Sequence, residues 1–365
     1  MDVVAATAGY EAWLAMFCPL NVPDLTYKHA QMADANDAFP FFRGTYYRWA
    51  TLWPAACPEL AAAPRVLAIG DLHVENFGTW RDADGRLCWG INDFDEADHL
   101  PYTDDLVRLA VSARLVRKAG ALNTKTADAC RAILDGYRGA LAAGGTPFVL
   151  EERHTELRAV ATATERDPVR YWAKLTKLLD DPAVSPPPDA QAVLLRGLPT
   201  EGLNPAFRFR PRAGMGSLGR PRYVAIADWS GGRVCREAKA IAPAATVWAS
   251  GSTETTSKMA EAVARAVRAP DPFYRAEGGW VIRRLAPHCS RIGLDSLGKV
   301  DAGRVLTAMG AETANVHLGT AKAGATVLAD LAHRPTGWLE AAARKMTDVI
   351  TQDWTAWRAP HRSKA

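Results

Sequence analysis

The 365-residue sequence has little cysteine and pairs none of it: Cys18, Cys57, Cys88, Cys130, Cys235 and Cys289 stand singly. Without a C-x-x-C pair there is no zinc or redox motif, and the six read as small buried hydrophobes of a reducing cytoplasm. No apolar run is long enough to cross a bilayer. The N-terminus opens on Asp2 with no basic start, and Glu11 interrupts its apolar run, so no signal peptide is expected and the expected location is the cytoplasm. There is no block of Lys or Arg and the formal charge is only +4, which gives no case for a nucleic-acid partner. No internal repeat is present. What remains, 48% hydrophobic and 23% charged residues, is ordinary for a globular protein, and the length calls for a bilobed unit or two domains.

One stretch carries most of the chemistry. Val66 to Ile69 is an apolar run that reads as a buried strand. It ends in Gly70-Asp71, and Asp71, His73 and Asn76 then fall in one short loop. A second strand, Leu87 to Ile91, delivers Asp93 and Asp95 directly after it. Asp84-Gly85 between the two runs is a hairpin turn signal, and such a hairpin draws the strand ends, and with them Asp71, Asn76, Asp93 and Asp95, into one small volume. Oxygen ligands of this kind suit magnesium, which takes a few carboxylate or amide oxygens and completes its shell with water and phosphate. An Asp five residues before an Asn, then a hairpin and an Asp-Phe pair, is the spacing of a kinase catalytic loop and metal loop. The expected catalytic set is therefore Asp71, His73, Asn76 and Asp95, with Asp71 as base or acceptor-orienting group. Asn76 and Asp93 are the expected magnesium ligands, and Asp95 assists a second metal or the acceptor.

These motifs, Gly70-Asp-Leu-His-Val-Glu-Asn76 and Asn92-Asp-Phe-Asp-Glu96, resemble the bacterial family catalogued as domain of unknown function 2252. The likeness extends to Met32, Phe41-Phe-Arg-Gly44, Asp105-Leu-Val-Arg-Leu-Ala110, Gly214-Met-Gly-Ser-Leu-Gly219 and Arg236-Glu-Ala-Lys-Ala240, spanning roughly residues 25 to 320. It implies a remote protein-kinase-like fold, close in style to aminoglycoside and choline phosphotransferases, and no particular reaction. Those enzymes carry His before the Gly-Asp pair, where Ile69 stands here. Their metal motif accepts an acid two residues after its Asp, as Asp95 provides. By the same resemblance Asp105 is expected to hydrogen-bond the catalytic loop from the following helix.

Around this centre, helices are expected at residues 3–18, 26–37, 41–53, 106–118, 124–142, 149–163 and 167–180, with Thr103 or Asp104 capping the fourth. Arg43, alone in an apolar helix, needs an acidic loop or a phosphate as partner. The proline-rich Asp181–Asp189 is the best linker. Strands are expected at Phe207–Pro211, Arg222–Ile226 and Gly232–Ala240, with Gly214, Gly216, Ser217 and Gly219 in the loop between the first two and Lys239 on the third. No helix follows the glycines, which excludes a dinucleotide fingerprint. The order strand, glycine loop, strand, turn, strand with Lys resembles a kinase nucleotide lobe, in which backbone N–H groups and the Lys hold phosphates. Glu261, on a helix expected at residues 253–267, is the first-choice partner of Lys239, with Glu254 second. On a strand expected at Gly279–Leu285, either Arg283 or Arg284 faces phosphate, or the two lie on a solvated strand face, and closing helices are expected at residues 300–318 and 335–357, with His317 in the core and Arg358–Ala365 a frayed tail.

The glycine loop and Lys follow the catalytic loop instead of preceding it. The expected fold is thus α+β, a bilobed protein-kinase-like fold that is circularly permuted. Its larger helical lobe spans residues 1–180, its small β-rich nucleotide lobe 190–285, and residues 286–365 return to the larger lobe. The expected function is an ATP- and magnesium-dependent phosphotransferase acting on a hydroxyl of a small-molecule acceptor. Nucleotidyl (AMP) transfer on the same fold, or a non-catalytic nucleotide-binding pseudokinase, are the alternatives. Asp71-Leu-His73 also matches the Asp-x-His motif of calcineurin-like phosphoesterases, but their second Gly-Asp and Gly-Asn-His motifs are missing.

Overall fold

Spacing near the N-terminus gives α1 (Val3–Leu14), opened by the Asp2 carboxylate, which accepts from the Ala5 N–H at 2.8 Å. The computed structural model describes residues 1–34, 36–120, 122–162, 167–289 and 301–361, and the chain is a mixed α and β protein. α2 (Val22–Met32) follows behind an Asn21 cap. The aromatic segment expected as one helix is two, α3 (Phe39–Gly44) and α4 (Tyr46–Ala56), broken at Thr45, whose hydroxyl bonds back to the Phe41 carbonyl at 2.7 Å. Phe41, Phe42 and Trp49 are wholly buried, so the aromatic stripe is core.

Next come a short turn of helix, β1 (Arg65–Ala68), β2 (Phe77–Arg81), β3 (Leu87–Ile91) and β4 (Asp98–Pro101). Here the structure corrects the expected pairing. The strand at Val66 is not the hairpin partner of Leu87–Ile91. A separate strand, β2, pairs with β3 around Asp84-Gly85, with Phe77 opposite Ile91. β1 instead pairs antiparallel with β4, Val66 opposite Leu100. The β1–β4 ladder encloses the β2–β3 hairpin, so the loop at residues 69–76 and the loop at residues 92–97 leave the two ladders side by side. Gly70 sits at φ +85°, and a Cβ there would run into the Glu96 carbonyl oxygen, so only glycine lets the two loops touch.

α5 (Tyr102–Lys118) starts directly after Pro101 with no side-chain cap; Thr103 and Asp104 are inside it because their side chains turn to the Leu60 carbonyl and the Trp49 indole N–H. α6 (Thr126–Ala143) matches expectation. The helix expected over residues 149–163 begins later. Phe148–Val149 is β5, an edge strand on β3, and α7 is Thr155–Ala161; residue 163 lies outside the described residues. α8 (Pro168–Thr176) precedes the proline-rich stretch, which runs into α9 (Pro188–Arg196).

The second half builds a five-stranded antiparallel sheet from β6 (Ala206–Phe209), β7 (Arg222–Trp229), β8 (Gly232–Ala240), β9 (Arg275–Glu277) and β10 (Trp280–Arg284), in the order β6-β7-β8-β10-β9. One face, through Ala225, Ala238, Trp280 and Ile282, packs on Val193 and Leu194 of α9. Between β8 and β9 lie α10 (Ala245–Ser250) and α11 (Met259–Arg265), whose Ala245, Met259 and Ala262 join the main core. Glu254 falls outside any helix, because the segment before Met259 is irregular.

α12 (Ala302–His317), α13 (Ala323–His333) and α14 (Trp338–His361) return to the helical body, where Arg48 meets Asp353 at 2.7 Å. Residue 300 and the tail beyond residue 361 lie outside the described residues. α6 and α12 cross closely: a Cβ on Gly136 would enter the Thr307 carbonyl, and one on Gly310 the Ile133 carbonyl. Among the described residues no helix is long and apolar enough to cross a membrane.

Gly310→Ala should therefore lower stability by about 1–3 kcal/mol, read as a lower urea midpoint. Gly139→Ala, on the same helix pair with open space around its added methyl, should match or exceed the wild type. Equal losses from both substitutions would rule out this account of the crossing.

Candidate functional site

The loop at residues 69–76 is held from beneath. Asp105, fully buried on α5, accepts the Ile69 and Gly70 N–H groups at 2.8 and 2.9 Å. His317 Nε2 lies 2.9 Å from the same carboxylate, and the His317 Nδ1 lies 2.7 Å from the Tyr137 hydroxyl. Asp105 thus supports the loop as the resemblance implied, and His317 is the core histidine expected. Ser112 of α5 accepts the Val74 N–H at 3.1 Å.

Within the loop, Asn76 Oδ1 accepts the His73 N–H at 2.7 Å, and His73 Nδ1 accepts the Glu75 N–H at 3.2 Å. Glu75 is ion-paired with Arg43, which answers what the Arg in the aromatic segment is for. Asp71 is paired through Oδ1 with both Nε and Nη2 of Arg108. Arg108 is wholly buried and stacked on Phe42, Tyr46 and Trp49, with ring distances of 4.0, 4.8 and 5.0 Å. Burial pushes the Asp71 carboxyl up to about 6, against the pull of Arg108. Among the described residues no hydrogen bond reaches Asp71 Oδ2, and a Cβ on Gly216 would lie 3.1 Å from it. The glycine loop therefore sits directly over the free oxygen of Asp71.

The hairpin continues past its last ladder pair, with the Asn92 N–H on the Asn76 carbonyl at 2.9 Å. That bond sets Asp93 beside Asn76. Lys239 of β8, 1% exposed, is ion-paired with Asp95 and lies 3.6 Å from Asp93. Arg220, just past the glycine loop, meets Asp95 at 2.9 Å and Glu96 at 3.9 Å. Burial raises the Asp95 carboxyl, but Lys239 and Arg220 outweigh it and hold it well below the usual range. Glu96 has weaker partners, and burial carries it up to about 7.

A single cavity of about 960 Å³ is lined by Asp71, His73, Asn76, Asp93, Asp95, Gly214, Gly216 and Ser217. Three expected residues are outside that lining: Lys239, buried behind Asp93 and Asp95, and two that stand apart. Gly219 is a packing glycine: at φ +99° it faces Leu25, which leaves no room for a Cβ. Glu261 pairs with Arg265 at 3.2 Å, one turn along α11, so the expected Lys239–Glu261 pair is not formed; the closer acids of the hairpin loop take the Lys instead. Sequence reasoning gave no role to Arg108, Arg220, Arg222 or Glu237. Arg108 lies inside a motif already singled out, and Arg220 directly follows the last glycine. The choice between Arg283 and Arg284 is settled by strand alternation: Arg283 lines the cavity, while Arg284 bonds the Arg81 carbonyl.

For a divalent ion, the Asp95 Oδ1 atom is buried without a hydrogen-bond partner, Asp93 Oδ1 has only the Lys239 ammonium at 3.6 Å, and Asn76 Oδ1 keeps a second lone pair. These donors fit a hard cation that takes few protein oxygens. Among the described residues no group of three or more His, Cys, Asp or Glu side chains is arranged around a metal position, so phosphate and water would have to complete any shell.

Residues 22–179 match the model of a family described as an uncharacterized protein conserved in bacteria (DUF2252). Over that stretch, less than half of the chain, the protein is similar to this family; the stretch holds Asp71 through Asp105 and ends before the glycine loop and Lys239. No curated protein and no solved structure matches the chain.

Asp71 yields a pH prediction. Its folded pKa, about 6, lies above the ordinary 3.8, so between these values the folded chain keeps a proton the unfolded chain releases. Its contribution to stability is lost as pH rises through that window. The stability difference between wild type and Asp71→Asn should therefore move against the wild type from pH 4 to pH 6.5, by up to about 3 kcal/mol. A constant difference across that range in urea titrations would contradict it.

Proposed function

We propose that the protein is an ATP- and magnesium-dependent phosphotransferase of protein-kinase-like, circularly permuted fold, acting on a hydroxyl of a small-molecule acceptor. The observation that carries this reading is Lys239: on the third strand of its sheet it is buried against Asp95 and 3.6 Å from Asp93, two acids that line the same cavity as Asp71, Asn76 and the glycine loop. Contact between residues more than a hundred positions apart supports the reading.

In this reading Asn76 and Asp93 would hold magnesium, whose charge would neutralise that of the phosphates when bound. Asp71, held through Oδ1 by Arg108, keeps Oδ2 toward the cavity to orient the acceptor hydroxyl and take its proton. A carboxyl titrating at about 6 is ionised at neutral pH yet remains a competent base. Arg108 fixes the carboxylate plane, and Asp105 fixes the backbone that bears it. Backbone N–H groups of the glycine loop and the Lys239 ammonium hold phosphate oxygens. Lys239 must leave part of its contact with Asp95 to do so, and Arg220 remains to satisfy that acid.

Calorimetry with ATP and magnesium, followed by mass analysis of a metabolite pool, tests the roles. Asp93→Ala should lose magnesium-dependent ATP affinity. Lys239→Ala should weaken nucleotide binding. Asp71→Asn should bind ATP nearly as the wild type and transfer on the order of a hundredfold more slowly. Wild-type affinity in Asp93→Ala ends the metal assignment, and a mass gain of AMP instead of phosphate selects nucleotidyl transfer. ATP binding without any transfer leaves a nucleotide-binding regulator.

A further inference from the structure

Part of the cavity wall carries charge that the proposed roles leave unused. Glu237 and Lys239 are two residues apart on β8 and so point to one face of the sheet. Register sets Arg222 of β7 opposite Lys239, and Arg283 of β10 opposite Glu237, so all four side chains share that face. Glu237 is fully buried there. It is ion-paired with Arg210, with Arg222 at 3.0 Å and with Arg283 at 3.4 Å. Arg222 also donates to Ser217 Oγ at 2.8 Å, which ties this group to the glycine loop.

Three guanidiniums on one carboxylate leave roughly two positive charges in excess. Asp93 and Asp95 also act on Arg283, but they are engaged by Lys239 and Arg220. The Arg283 Nε faces Glu237 at 3.4 Å without forming a hydrogen bond. Burial, with Arg210 and Arg283 as like-charged neighbours, pulls the Arg222 pKa down despite Glu237. α8 lines the same cavity with Arg170 and Lys174, one turn apart, and among the described residues neither forms an ion pair. Excess buried positive charge is costly unless an anion joins it. A neutral acceptor brings no charge to offset that excess.

We propose that Arg210, Arg222 and Arg283 form a second anion subsite, which takes a phosphate-type group beyond the one held at Lys239 and Asp93. The inference rests on the reading of the cavity as a phosphate site. It defines the ligand as a polyanion whose charges fall on neighbouring rungs of the sheet, about 7 Å apart. Two sources carry that chemistry: the polyphosphate tail of the nucleotide lying along the sheet, or an acceptor that is itself phosphorylated.

Arg210→Gln and Arg283→Gln test it in the intact chain, because both side chains are partly exposed, 29% and 22%. Binding of inorganic tripolyphosphate at fixed salt should weaken at least tenfold in each. It should be unchanged in Arg196→Gln, a surface arginine paired with Glu277, and largely restored in Arg283→Lys. If ATP weakens in parallel while AMP does not, the nucleotide tail occupies the subsite. If ATP affinity holds but binding of glycerol phosphate to the ATP-saturated protein is lost, the acceptor supplies the anion; either result supports the subsite. Unchanged affinity for tripolyphosphate, ATP and glycerol phosphate in both folded variants overturns it and leaves the nucleotide reading standing. A wild type that binds tripolyphosphate through these arginines but never ATP removes the nucleotide reading and keeps the subsite.

Discussion

The arrangement turns on the buried ion pair between Lys239 and Asp95. Its partners are 144 residues apart, one on the central strand of the five-stranded sheet, the other in the loop after the β2–β3 hairpin. A buried ammonium with no carboxylate would not stay charged, so the sheet and the hairpin cannot separate without a large electrostatic cost; removing one member of such a pair costs about 3–5 kcal/mol. Arg220 shares Asp95 with Lys239 and reaches on to Glu96. The glycine loop is thereby fastened at its far end to the same acids, and Gly216 is brought over Asp71. One charge contact between two distant segments decides where the glycine loop, Asp71, Asn76 and Asp93 meet.

What the sequence made legible was local. Asp71, His73, Asn76, Asp93 and Asp95 could be gathered in advance because a few residues and one turn signal connect them. The strand pairing was not legible: Asp84-Gly85 announces a hairpin but does not say which upstream strand is its arm, and the β1–β4 ladder joins Arg65 to Pro101 with no local signal. Lys239 was found from its place after the glycines, yet its partner was not. A glutamate on the right side of a helix is chemically as good as an aspartate in a loop until the packing of α11 turns Glu261 toward Arg265. The arginine group around Glu237 was invisible for a similar reason. Arg210, Arg222 and Arg283 share a face only through strand register, which alternation within one strand does not supply.

Gly219 shows the same limit from another side. Its spacing from Gly214 and Gly216 fits a phosphate loop, but its positive φ and its contact with Leu25 serve the join between the loop and α2. Asn21, the cap of α2, donates its N–H to the Gly219 carbonyl at 2.8 Å. The glycine loop is therefore tethered at its exit to the N-terminal helices, while Gly214 and Gly216 line the cavity.

The anchoring of the catalytic-type loop also has a bearing on how the chain is made. Asp105 receives the loop N–H groups, but its own partner is His317, 212 residues downstream. At synthesis rates of about 5–20 residues per second, a nascent chain waits roughly 10–40 s between the two. Through that interval Asp105 is an acid without its imidazole, and Gly136 lacks the α12 backbone it packs against. A truncated product lacking α12 therefore keeps the acidic residues of the site and Asp105 beneath their loop, but not the His317 that partners Asp105.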